Sequence, residues 1–172
     1  MNNMNRRQLL KIGAGLVITV AAVPLLSRVA TAERSKTGNH ADEMEKVVMS
    51  EQAWREKLSA EQFDVLRREG TERPFSSELN DEKRDGTFHC AGCDQAVFTS
   101  GMKFDSGTGW PSFFDSIEGA FETKTDFKLI YPRTEYHCAR CGGHHGHIFK
   151  DGPEPTGKRW CNNGVALKFI PA

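Results

Sequence analysis

Residues 136–164 read YHCARCGGHHGHIFKDGPEPTGKRWCNNG and hold three of the chain's five cysteines and four of its six histidines. Cys138-Ala-Arg-Cys141 is half of a metal site, because two thiolates two residues apart can wrap one ion while Gly142 and Gly143 supply a tight turn. Cys90-Ala-Gly-Cys93 repeats the spacing upstream. Together Cys90, Cys93, Cys138 and Cys141 offer four sulfur ligands to one closed, tetrahedral, structural Zn2+. The competing reading is disulfides, since four cysteines can pair in three ways, but two matched C-x-x-C pairs favour metal. A zinc ion held this way clamps two hairpins that are far apart in sequence. Cys161 is left over, and an unpaired cysteine near histidines is a candidate nucleophile or redox thiol.

The 172 residues, 27% charged and 38% hydrophobic, suit one globular domain and are too few for two ordinary ones. The formal net charge of zero hides an asymmetry. Residues 1–32 carry four basic residues and no acidic one, which leaves 19 basic against 23 acidic in the rest. A mildly acidic body argues against nucleic acid as a partner, because counterion release needs clustered positive charge.

The N-terminus runs Asn5-Arg6-Arg7-Gln8-Leu9-Leu10-Lys11, then an apolar run from Ile12 to Leu26 diluted by Gly13, Gly15 and Pro24, then Ala30-Thr31-Ala32. This resembles a twin-arginine export signal. The resemblance implies that residues 1–32 are a signal cleaved after Ala32, that the mature protein is periplasmic or otherwise exported, and that it meets the membrane only during export. The 15-residue apolar run, interrupted by Pro24, falls short of the ~20 residues of a spanning helix, which weighs against a retained anchor. Residues 33–47 are polar and aperiodic and read as a flexible linker, leaving 48–172 as the folded body.

Within that body, Ser59-Ala60-Glu61-Gln62 is a capping-box pattern that starts a helix with Phe63 and Leu66 on one side and Gly70 as its stop. A shorter helix is expected after Ser50, with Trp54 and Leu58 one turn apart. From Gly86 the pattern changes to short apolar runs, and strands are expected at 87–89, 96–98, 128–131, 135–137, 147–149 and 165–170. The expected fold is α+β and mainly β: a small antiparallel sheet domain with short N-terminal helices and a zinc clamp.

Between the two C-x-x-C pairs lies FDSGTGWPSF, residues 104–113, whose glycines allow a sharp turn that presents Trp110 beside Pro111. This loop, GTERPFSSEL at 70–79, the motif RTE-x-x-C-x-x-C-GG-H-x-GH-x-F-x-DGP and RWCNNG at 159–164 together resemble the methionine sulfoxide reductase B family in its zinc-containing form, over about Ser50 to Pro171. The resemblance implies reduction of the R epimer of methionine sulfoxide in oxidised peptides or proteins. It makes Cys161 the nucleophile, His144 and His147 the catalytic imidazoles, and Asn163 their polar neighbour. Trp110 becomes a wall for the substrate methyl group, and Phe113 and Arg159 are assigned to the same pocket. A thioredoxin-like or other thiol reductant is the implied partner of a monomer.

The chemistry of these residues agrees. A sulfoxide sulfur is electrophilic only when its oxygen is stabilised or protonated, so attack by a thiolate needs an acid beside it, which His144 or His147 can supply. Cys161 needs partners that favour its thiolate, and Arg159 and the histidines are the nearest candidates in sequence. Attack gives methionine and a sulfenic acid on Cys161. Against this stand simpler readings: a lone cysteine as a small buried hydrophobe, or His144 and His147 as ligands of a second ion. His145 fills a position where the family more often has an apolar residue and is expected to be exposed or structural.

Relatives often carry a resolving cysteine where this chain has Thr108, so the sulfenic acid is expected to be reduced by an external thiol. Trp160 and Asn162 also replace the family's usual tyrosine or phenylalanine and apolar residue. From another class, a noncatalytic zinc-ribbon-like binding module would share the C-x-x-C pairs but needs neither Cys161 nor the tryptophan loop. A peroxide-sensing or disulfide-exchange thiol is a third reading of Cys161.

Overall fold

The computed structural model describes residues 45–172, so the expected signal and most of the expected linker lie outside the described residues. Helix α1, Glu51–Lys57, starts at Ser50, whose side chain accepts the Ala53 N–H at 3.2 Å. Helix α2, Ala60–Arg68, opens with the reciprocal capping box: Ser59 Oγ accepts the Gln62 N–H and Gln62 Oε1 accepts the Ser59 N–H, both at 3.1 Å. The helix stops one residue earlier than the glycine suggests, at Glu69, which takes the left-handed conformation with φ 57°. Trp54, Leu58, Phe63, Val65 and Leu66 are buried, as their spacing on the two helices requires.

Two antiparallel sheets follow. The smaller has the order β2 (Ala96–Thr99), β1 (Gly86–Cys90), β9 (Leu167–Pro171). The larger runs β3 (Lys103–Phe104), β4 (Ser112–Phe113), β8 (Arg159–Asn162), β7 (His144–Phe149), β6 (Arg133–Cys138), β5 (Phe121–Asp126). Five of the six sequence-predicted strands fall in or overlap β1, β2, β6, β7 and β9. The sixth does not: residues 128–131 form the exposed connection between β5 and β6. The strand is instead Phe-Glu-Thr-Lys-Thr-Asp at 121–126, an edge strand whose charged, exposed side chains carry no apolar alternation.

Pairing register sorts the large sheet into two faces, because residues directly opposed in antiparallel strands point the same way. Lys124, Glu135, His147, Cys161 and Ser112 form one row across the sheet. Phe113 and Trp160 are opposed in the next row and face the other way, into the core. There Phe98 of β2 stacks on Phe113 at 3.9 Å and meets Phe121, Tyr136 and Trp160, so the small sheet packs on this face. Phe113 is fully buried among these rings and does not line the pocket to which the sequence assigned it. Trp160 likewise packs against Tyr136 in the core.

Candidate active site

His144 and His147 are three apart, and on a regular strand they would project from opposite faces. A β-bulge prevents this. Tyr136 opposes Gly146 and His137 opposes His144, which leaves His145 as the extra residue. The two rings consequently share the face of Cys161, with centroids 5.5 Å apart. His145 turns inward, fully buried against Phe121 and Tyr136. Its Nδ1 lies 3.1 Å from Asn162 Oδ1, which also accepts the Tyr136 hydroxyl at 2.8 Å. Two departures from the family pattern, His145 and Asn162, are thus one buried polar pair, and burial lowers His145 to a pKa of about 4. Gly146 is required here because a Cβ would stand 1.9 Å from the Cys161 carbonyl oxygen.

Each imidazole is backed by a carboxylate. Glu135, 2% exposed, lies 2.6 Å from His144 Nδ1 and 3.0 Å from His137 Nδ1. Burial pushes Glu135 up, but the two histidines outweigh it and hold the group below the usual carboxylate range. Asp126 accepts the Lys128 N–H at 2.8 Å, His147 Nε2 at 2.7 Å and the Arg133 guanidinium at 2.5 Å, and lies far below that range. Ionised carboxylates only accept, so His144 Nδ1 and His147 Nε2 carry their hydrogens. Burial lowers His147 against the opposing pull of Asp126.

Cys161 is mostly enclosed, and burial pushes its thiol up against the opposing influence of Arg159 and the Thr108 hydroxyl. Burial therefore favours the thiol form; of the thiolate-favouring partners expected from sequence, Arg159 is in place but does not prevail. Arg159 is buried, held by Asp151 at 2.9 and 3.0 Å, with its guanidinium 4.3 Å from the centre of the Phe149 ring. Thr108 belongs to a hydroxyl chain beside the sulfur, Thr108 to Ser106 to Ser112, each step 2.8 Å.

Of these groups His147, Arg133 and Cys161 line a pocket of about 130 Å³ that is also walled by Trp110, Phe149 and Thr71, whereas His144 and Arg159, the latter assigned to the pocket from sequence, are not among its walls. Trp110 is fixed by donating its indole N–H to the Glu72 carbonyl at 3.2 Å. Asn163 also reaches the pocket wall, but its amide bonds the His145 carbonyl at 2.8 Å and accepts the Glu72 N–H at 3.0 Å. It clasps backbone and makes no hydrogen bond to His144 or His147. A larger hollow of about 550 Å³ between α2 and residues 71–76 shares only Thr71 with this pocket and contains neither cysteine nor histidine.

At the far ends of the hairpins, Cys90, Cys93, Cys138 and Cys141 are buried with all four sulfurs within 4.8 Å of one another. Cys90 and Cys141 are 3.7 Å apart and Cys93 and Cys138 3.5 Å. A tetrahedron with ~2.3 Å zinc–sulfur bonds has sulfur–sulfur edges of about 3.8 Å, so donor type and spacing fit one zinc ion. Gly142 makes its turn at φ 68°, whereas the first turn uses Asp94 at φ 61°. Val47 donates to the Arg140 carbonyl at 2.7 Å and Arg140 to the Glu45 carbonyl at 3.3 Å, which pins the last residues of the expected linker to the second turn.

The sequence reading missed Glu135, Asp126 and Arg133 as site residues. Glu135 stood inside a quoted motif without a role. Asp126 and Arg133 bracket the stretch misread as a strand.

Residues 58–171 match the SelR domain family model. The chain is 51% identical over 124 residues to the peptide methionine sulfoxide reductase MsrB of Methanosarcina barkeri, covering 72% of this chain and 87% of that one. It is 50% identical to the protein of the same name from Bradyrhizobium diazoefficiens, over 74% and 92% of the two chains. It is also 46% identical to the chloroplastic peptide methionine sulfoxide reductase B1 of Arabidopsis thaliana, over 75% and 64%.

Proposed function

The chain belongs to the SelR-domain family of peptide methionine sulfoxide reductases, and on that premise we propose that it reduces the R epimer of peptide- or protein-bound methionine sulfoxide through Cys161. The observation that carries the reading is the pairing on one sheet face that sets Cys161 across from His147, whose ring neighbours that of His144, at a pocket that Trp110 also lines. The S-methyl group packs on Trp110 and the sulfoxide oxygen meets an imidazole. Each imidazolium that forms is stabilised by its buried carboxylate, Glu135 or Asp126. The Cys161 thiol passes its proton to an imidazole as it attacks and an imidazole returns a proton to the sulfoxide oxygen, with Arg159 and Thr108 favouring the developing thiolate.

Oxygen and two electrons balance. The substrate sulfur is reduced to the thioether, and the Cys161 sulfur is oxidised to a sulfenic acid. Thr108 offers no second thiol, and the other four cysteines are engaged with one another. An external thiol therefore condenses with the sulfenic acid, releasing water and forming a mixed disulfide, and a second thiol restores Cys161. Cys90, Cys93, Cys138 and Cys141 hold a structural zinc, which when bound ties the β1–β2 turn to the β6–β7 turn. Export under the twin-arginine-like signal, cleavage after Ala32 and a monomeric mature chain complete the reading. Periplasmic recovery of a chain beginning at Glu33 is the expected outcome of fractionation, and a cytoplasmic chain retaining residues 1–32 would contradict it.

The test is chiral chromatography of a racemic methionine-sulfoxide peptide after incubation with residues 33–172 and dithiothreitol. Loss of the R epimer alone, abolished in Cys161→Ser, is expected. Loss of neither epimer with folded wild type would overturn the reading.

A further inference from the structure

We propose that the connection between β5 and β6, Phe127 to Pro132, is a docking surface for an unfolded, extended polypeptide, gripping apolar side chains that lie a few residues from the oxidised methionine. This deepens the reductase reading and rests on it.

Phe127 is 75% exposed, Leu129 49%, Ile130 105% and Tyr131 60%, so four large apolar side chains within five residues face solvent. Grouped apolar exposure of this kind marks an interaction surface. The connection is also held in place. Lys128 pairs with Glu69 at the end of α2 at 2.5 Å, and Asp126 and Arg133 close its base through their own ion pair. That base is continuous with the pocket: Arg133 is a pocket wall, and Asp126 holds the pocket residue His147.

The occupant follows from the substrate's chemistry. Methionine is mostly buried in folded proteins, so a sulfoxide able to enter a pocket of about 130 Å³ sits on chain that has lost its fold. Such chain exposes the apolar neighbours that once shared a core with the methionine. Ideal strand spacing puts the base of the connection roughly 14 Å from Cys161, which an extended peptide covers in about four residues. A second copy of this chain is a poorer occupant, because the adjoining edge strand presents exposed Glu122 and Lys124, which oppose edge-to-edge pairing.

The experiment compares three R-sulfoxide substrates: N-acetyl-methionine sulfoxide amide, a nonapeptide with leucine four residues to either side, and the same peptide with serine there. Each is assayed with wild type and with the double variant Leu129→Ser, Ile130→Ser, neither residue lining the pocket. Wild type is expected to favour the leucine peptide over the serine peptide by about 10-fold in kcat/KM, the order expected for covering one large apolar side chain. The variant is expected to lose that preference while its kcat/KM on the amide stays unchanged. Equal rates on both peptides with wild type, or a preference that survives in the variant, would overturn the proposal. So would absence of the preference together with variant-sensitive dimerisation in sedimentation, or with variant-sensitive binding to phosphatidylglycerol vesicles, which would assign the surface to a second copy or a membrane. Reduction of none of the three by folded wild type would overturn the reductase reading itself, and this proposal with it.

Discussion

Burial opposes ionisation of the Cys161 thiol, so in the proposed reaction its reactivity depends on what the substrate and the imidazoles do together. Replacing His147 with Asn, which keeps a polar side chain but cannot carry the proton, is expected to lower kcat by about 10²–10⁴-fold, the usual range for a general acid. Burial holds His147 below its ordinary value, so activity that needs its protonated form falls as pH rises through a point lower than the usual ~6.5. Asp126 opposes that lowering, so Asp126→Asn should move the fall in kcat to lower pH still; an unmoved profile would contradict the role given to this pair. Thr108 stands beside the sulfur, so Thr108→Cys should trap an intramolecular disulfide with Cys161 after one turnover, readable by non-reducing peptide mapping. At this scale the rare residues were legible in the sequence. Cys161, Trp110 and the histidines stand out by type and motif, whereas Glu135, Asp126 and Arg133 are common charged residues whose role exists only once the strands are in register.

The bulge in β7 is the element on which the site depends, since without it His144 and His147 would point apart. Strand periodicity alone could not place a bulge here or say that His145 was the residue turned inward. A Gly146→Ala change drives a methyl group into the backbone of β8 and is expected to cost about 1–3 kcal/mol and to lower turnover, because β8 carries Cys161. His145 binds its proton near pH 4 in the folded chain and near 6.5 unfolded, so the unfolded state holds more protons between those values. Its share of stability is present above pH 6.5 and lost as pH falls toward 4, amounting to roughly 3 kcal/mol. Denaturation of His145→Leu should accordingly show a smaller loss over that window than wild type; equal losses would count against a buried neutral imidazole. Strand β5 was illegible for a different reason. A charged edge strand has no buried face to write a pattern, and the apolar run that did look like a strand is the exposed connection after it.

Across the molecule, the paired C-x-x-C motifs were the most legible feature, because thiolate spacing is local and the two turns need only meet once. They meet between the two sheets, with Leu66 of α2 packed over Gly92 and Gly143, so the helices, both sheets and the four cysteines share one core. One zinc per chain is expected from elemental analysis, and Cys93→Ser should remove it and lower the thermal midpoint. The candidate site sits on the opposite face of the large sheet from its aromatic core, with Ser112, Cys161 and His147 on three adjacent strands, so the side chains stand on rigid elements. In the proposed reaction Cys161 takes the sulfoxide oxygen and waits for an outside thiol. The most direct measurement is intact-protein and peptide mass spectrometry after one equivalent of R-sulfoxide peptide, without reductant and with dimedone added. A single dimedone adduct on Cys161, with one methionine formed per chain and no disulfide, is the predicted result. A disulfide from Cys161 to another cysteine of the chain, or methionine formed with Cys161 unmodified, would contradict it.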